Sequence, residues 1–229
     1  MGLQGQVSMA APGLLGFDTP NPLNPALAQR YFNQGYRFCL RYVSHAEAPS
    51  TTYTDLTASE AQGIIDAGLA LMIVQHPPLE GWVANAQVGE QFGRCAAAHS
   101  KDAGLPAGVN VWMDLEGIKT GTSASDVIAF CNAWIANVEA AGYVSGVYIG
   151  ANPILTADQL YWDVKTKHYW RGGSSVQAGV SADIPPRGYQ LVQRVYDAGK
   201  PNEFDSDYTQ TDNFGTGVLW ISKNPAPTS

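Results

Sequence analysis

The sequence predicts an α/β fold: a single (β/α) TIM-like barrel, irregular in its second half. Three observations predict it. A helix, a glycine-closed turn and an apolar run follow one another four times before residue 150. Acidic residues end two of the predicted strands. The 229 residues, 45% of them hydrophobic, suit one barrel with a sizeable core.

Residues 14–18 read as the first strand, with Pro20, Pro22 and Pro25 marking its exit loop. A helix follows over 25–33 and ends at Gly35, because glycine enters the left-handed conformation that closes a helix at little steric cost. Residues 38–43 form a second strand. Thr57-Ala58-Ser59-Glu60 has the form of a capping box, in which the Thr and Glu side chains each accept from the other's backbone amide. The helix it opens ends at Ala67-Gly68. Residues 69–75 then run apolar without alternation, the mark of a strand buried on both faces. A long helix covers 85–103, strand four covers 109–116, and Ser123 caps a helix that stops at Gly142. Strand five covers 146–150. Units of this kind feed a parallel sheet, with an open doubly wound sheet as the alternative to a closed barrel.

Past residue 150 the rhythm changes. A short helix over 156–165 and short strands over 168–170, 189–193 and 218–222 stand among long loops. Residues 204–208 add two acids late in the chain, with a solvated acidic loop, or less readily a calcium-binding loop, as the alternative. The whole chain, 1–229, reads as one domain, with 1–13 and 224–229 as flexible ends.

Composition narrows the function. The net charge is -7 and the pI about 4.9, with no run of Lys or Arg, so nucleic acid is not an expected partner. No stretch of 18 apolar residues predicts a membrane span. Charged residues are only 14% of the chain, and a surface rich in uncharged polar groups suits neutral ligands such as sugars. Residues 1–13 lack the basic start and apolar stretch of a secretory signal. Export by a phage lysis system or a secretion apparatus, or a signal already removed, is the expectation. Cys39, Cys95 and Cys131 are odd in number and outside any metal spacing, so they read as core residues. HExxH, GxSxG and P-loop patterns are absent, and neither a metal nor a cofactor is expected.

The segment Val111-Trp112-Met113-Asp114-Leu115-Glu116-Gly117 carries the chemistry. Side chains alternate along a strand, so Trp112, Asp114 and Glu116 share one face. Their Cα atoms are spaced by about 6.6 Å per two residues. Two carboxyls on the inward face, at the carboxyl end of a barrel strand, lie where such barrels build active sites. Mutual repulsion raises the pKa of one of them, as a general acid requires. The structural alternatives are that Asp114 bonds a loop and Glu116 caps a helix. Asp18 ends strand one in the same way, with an Asx-turn as its alternative. Asp205 and Asp207 add acids late in the chain. Tyr42, Gln75, Trp82, Tyr148, Tyr169, Trp170, Gln190 and Gln193 lie near predicted strand ends, where aromatic faces and amides bind sugars. Tyr148 and Gln190 are the foremost of these. His76 and His168 could also face the site, though a lone histidine is more often structural.

Gly16-Phe17-Asp18, Arg41-Tyr42-Val43-Ser44, Asp114-Leu115-Glu116-Gly117 and Gly188-Tyr189-Gln190, in that order, resemble the glycoside-hydrolase-like barrels related to family 25 lysozymes. The match is to a bacterial family long labelled a domain of unknown function, over about residues 14 to 222. The resemblance implies a muramidase cleaving β-1,4 bonds between N-acetylmuramic acid and N-acetylglucosamine of peptidoglycan. It implies Glu116 as general acid and Asp114 as the group that orients the substrate N-acetyl. Asp18 and Asp205 would hold water or position sugar. Arg41, Tyr42, Gln75, Tyr148, Gln190 and Asp207 make up the implied substrate-binding set. The late motif departs from the family 25 pattern, which leaves Asp205 and Asp207 both open for the last acid. The implied place of action is the cell wall, periplasmic or extracellular, with a cognate inhibitor as a possible partner of a delivered toxin. Two other functions stay open: a wall-binding barrel that does not cut, and a metal-dependent phosphodiester hydrolase.

Overall fold

The computed structural model describes residues 2–48, 54–173, 184, 186–194 and 204–223. Strand β1 (Gln6–Met9) is followed by β2 (Leu15–Thr19), α1 (Pro25–Asn33), β3 (Phe38–Val43), α2 (Ala58–Asp66) and β4 (Ala70–Gln75). Then come α3 (Ala86–Asp102), β5 (Asn110–Leu115), α4 (Ala124–Ala140), β6 (Val144–Ile149) and α5 (Ala157–Trp162). The last elements are β7 (Tyr169–Arg171), β8 (Leu191–Arg194), β9 (Asp205–Thr209) and β10 (Leu219–Ser222).

Strands β2 to β9 close on themselves, since β4 pairs β5 and β9 pairs β2. The fold is therefore the expected barrel. From β2 to β8 neighbours run parallel, whereas β9 is antiparallel to both β8 and β2. The physical reason is reach. A parallel return needs a crossover of a dozen or more residues. Residues 195–204, between β8 and β9, are too few, so the chain turns back. This reversal puts the start of β9 at the same end of the barrel as the carboxyl ends of the other strands.

Two expectations need correction, and one alternative falls. Residues 204–208 are not an acidic loop, because 205–209 form β9, which closes the barrel. Residues 6–9, expected to be flexible, form β1 and pair antiparallel with β10. The strand at 219–222 lies outside the barrel, joined to β4 at Ile221 and Leu71. The end at 224–229 falls outside the described residues.

The helix starts follow the sequence closely. Asn24, Thr57, Asn85, Ser123 and Thr156 each accept a backbone amide three residues on. At Thr57 only half of the capping box forms. Glu60 instead turns to the Arg41 guanidinium and the Leu23 amide. The reciprocal box forms at Thr156 and Gln159.

Large aromatics fill the barrel. Trp112 and Trp170 meet edge to face at 5.8 Å, and Tyr148 meets Trp170 at 4.6 Å. Gly146 makes the room: a Cβ there would lie 2.3 Å from Trp112 Cε3. A cavity opens at the carboxyl ends of the parallel strands. No helix among the described residues is long and apolar enough to cross a membrane.

Candidate active site

The cavity has a volume of about 470 Å³. Asp18, Tyr42, His76, Asp114, Glu116 and Asp205 line it, and Pro77, Pro78, Leu79 and Glu80 form one wall. Five different strands or strand ends supply these groups. The pleat explains which residues arrive. On β5, Trp112 and Asp114 face inward, with Glu116 just beyond the strand's end. On β9, Asp205 and Asp207 share a face, with Asp207 one step deeper and fully buried.

Asp18 lies at the centre of a buried network. Its Oδ1 accepts from the Tyr42 hydroxyl and its Oδ2 from Gln193 Nε2, both at 2.9 Å. Gln193 Oε1 accepts in turn from the Tyr148 hydroxyl and the Gly173 amide. Asp207 Oδ1 accepts from Trp170 Nε1 at 2.9 Å, and its Oδ2 has no N–H partner. Asp207 also lies within hydrogen-bonding reach of Asp18. Two carboxyls can make that bond only if one keeps its proton.

Electrostatics follow from burial. Burial raises Asp18 to about 6, and the charge of Asp205 adds to this against the bonds from Gln193 and Tyr42. Asp114 is pushed well above the usual carboxylate range by burial, then by the charges of Glu116 and Asp18. Burial does the same to Asp207, helped by Asp18. Asp205 is raised by burial alone. Glu116 is only half-buried, the most accessible member of the β5 pair. Trp82 Nε1 donates to the Glu116 carbonyl at 2.9 Å and so fixes the backbone that carries this acid.

Several expected site residues are thus together: Asp18, Asp114, Glu116, Asp205 and Tyr42 line the cavity, with Asp207 and Tyr148 in the network beneath. Three are not. Arg41 is fully buried on the outer face of β3, where it bonds Glu60 and the carbonyls of Thr19 and Thr54. Gln75 also points outward, donating to the Ser44 and Phe92 carbonyls and accepting from Trp134 Nε1. Gln190 accepts from the Tyr169 amide and donates to Lys167 and Asp212. All three correct the substrate-binding set. His76 lines the cavity, and Gln193 belongs to the network beneath it. His76 stacks on Tyr42 at 4.3 Å, and burial lowers its pKa to about 4, so it is neutral at pH 7. Strand parity was the missed signal. Consecutive residues face opposite sides, so only one of Arg41 and Tyr42, and one of Gln75 and His76, can face the cavity.

Among the described residues, no three of His, Cys, Asp and Glu are arranged to hold a metal ion.

Comparison with known proteins agrees with this fold. Residues 29–213 match the family described as Rv2525c-like, glycoside hydrolase-like domain. No curated protein matches the chain. Among solved structures, the Tat-secreted protein Rv2525c of Mycobacterium tuberculosis, in complex with L-tartrate, is similar with a TM-score of 0.66 and 18% identity, over 90% of this chain and 99% of that one. A muramidase from Trichobolus zukalii has a TM-score of 0.55 at 16% identity, over 86% and 93%. The catalytic domain of endolysin ply40, from bacteriophage P40 of Listeria monocytogenes, has 0.56 at 16%, over 88% and 95%. At such identities the likeness is one of fold.

Proposed function

The chain belongs to the Rv2525c-like, glycoside hydrolase-like domain family, and from that premise we propose that it is a peptidoglycan hydrolase, a muramidase cutting β-1,4 bonds between N-acetylmuramic acid and N-acetylglucosamine. The observation that carries this reading is the pair Asp114 and Glu116, one buried and one accessible, in a single acidic cavity at the carboxyl ends of the strands. Their environments push two carboxyls toward different roles.

Glu116 gives its proton to the glycosidic oxygen as the bond to C1 breaks. The carbonyl oxygen of the substrate's own N-acetyl group closes on C1, the substrate-assisted route. Asp114 orients that N-acetyl group: it lines the cavity, burial raises its pKa well above the usual carboxylate range, and its Oδ1 has no protein partner. Water then opens the ring, giving its proton back to Glu116. Asp205 positions the water or the sugar, and Asp18 holds Tyr42 in place. Among the described residues, the cavity lining contains acids and no Lys or Arg, which counts against a phosphodiester substrate. The wall is then the place of action, which lies outside the cytoplasm; the similar protein Rv2525c is itself Tat-secreted.

The test is release of reducing ends from purified peptidoglycan, wild type beside Glu116→Gln. Loss of about 10²–10⁴-fold in the variant, with an unchanged melting temperature, is expected. Co-sedimentation with the wall and no release from either protein would replace the enzyme by a binding barrel. Equal release from both would remove the role given to Glu116.

A further inference from the structure

The turn after β6 touches Glu116 in a way that nothing in the acid's own strand requires. Gly150 ends β6 with a φ outside the left-handed region, so glycine is not needed there for its backbone conformation. It is needed for space. A Cβ at 150 would lie 2.2 Å from Glu116 Oε2, 2.6 Å from Glu116 Cβ and 2.8 Å from Tyr148 Cε1. Rotation of the carboxyl would relieve the first contact but not the second, because Glu116 Cβ is fixed by the backbone. The next residue completes the contact: the Ala151 amide donates to Glu116 Oε2, long at 3.4 Å. The same loop is tied to the acid's strand exit by two more bonds, Gly117 amide to Ala151 carbonyl and Asn152 Nδ2 to Ile118 carbonyl.

The loop is held in an unfavourable shape. Asn152 has φ 53° and Ile154 φ 65°, on either side of Pro153. Positive φ at a β-branched residue is a steric outlier that persists only where the surroundings impose it. The bonds to Gly117 and Ile118 hold Ala151 and Asn152, and Ile154 is the centre of a tight turn closed by the Leu155 amide on the Pro153 carbonyl.

We propose that the turn 150–155 is the positioning element of the general acid, Gly150 vacating the volume that the Glu116 carboxyl occupies and the Ala151 amide fixing which oxygen points into the cavity. This rests on the role given to Glu116 above. An amide donating to a carboxylate favours its charged form. Losing that donor therefore disfavours the carboxylate, which gives the proposal a readout besides rate.

Two variants test this. Gly150→Ala displaces the carboxyl, and a misplacement of about 1 Å costs about 10²-fold in rate. Ala151→Pro removes the donor and puts the proline Cδ where the amide hydrogen pointed, against Glu116 Oε2, so it displaces the carboxyl by a second route and serves even if the first variant does not fold. In both, kcat falls with little change in KM, and the alkaline limb of the pH–rate profile moves up. The ¹³C signal of the Glu116 carboxyl, assigned by its loss in Glu116→Gln, titrates at a higher pH than in the wild type. Folded variants with wild-type kcat, pH profile and carboxyl titration would overturn the proposal. If the wild type itself releases no reducing ends, the enzymatic reading fails while the carboxyl titration still judges the loop.

Discussion

Two polar clusters sit on opposite faces of the same strands, and they are built differently. Outside the barrel, Arg41 meets Glu60 at 2.6 Å and spends its remaining donors on carbonyls, while Gln75 fills every site on its amide. Inside, Asp114 and Asp205 each keep an oxygen without a protein partner. A buried polar group left incomplete costs stability. The outer cluster avoids that cost and the inner one carries it. In this pair of clusters the oxygens left without a partner are those that face the cavity, where a proton or a ligand can reach them.

The sharpest way to break this contrast is Arg41→Met. Glu60 would be left buried and unpaired, a loss of about 3–5 kcal/mol in denaturant unfolding. Activity per folded molecule should not change. Weakened wall binding at unchanged stability would return Arg41 to the site.

Asp114→Asn probes the inner cluster through pH. A carboxyl whose folded pKa is raised binds its proton more tightly folded than unfolded. Its stabilisation is complete below about pH 4, the unfolded value, and is lost as pH rises toward the folded value. The Asn variant lacks that loss. Its stability relative to wild type should therefore grow as pH rises from about 4 to neutrality, while activity falls by about 10²-fold. Comparing variant with wild type cancels the opposite slope from His168, which burial holds down to about 4. A difference that stays flat across this range would mean that Asp114 is not held neutral.

The smallest effect separates two glutamines. Gln190→Leu and Gln193→Leu should each cost about 1–3 kcal/mol, since both leave buried partners unsatisfied. Only Gln193→Leu, which strips Asp18 of a donor and frees the Tyr148 hydroxyl, should also lower kcat. Equal activity in the two variants would dissolve the distinction between inner and outer faces on this side.

The regular half of the barrel was readable because its signals are local. Caps such as Asn24 and Ser123, and the glycines that close each helix, lie within a few residues of the boundary they set. Strand β9 was not readable, because Asp205-Ser206-Asp207 has the composition of a loop. Its inward Asp207 and Thr209 are buried only by partners far away in sequence. β1 lies exposed at the edge of the sheet and is defined wholly by β10. Of the site, the acids were legible because carboxyls at strand ends have few other reasons to be there. The amides were not. Strands buried on both faces, such as β3 and β4, give no polarity signal for direction, and it is pairing with Trp134 or Tyr148 that decides it.

The ribbon of β1 and β10 has a consequence of another kind. Gln6 faces Ser222 and Met9 faces Leu219, so the beginning and the end of the described fold lie side by side. In connectivity the molecule is close to a ring with a single seam. A few residues would bridge that seam, and the chain could then be opened at a turn on the face away from the cavity with every barrel strand keeping its neighbours. The order in which the site residues occur along the chain is thus an accident of where the ring is cut, while their order around the barrel is what the chemistry uses.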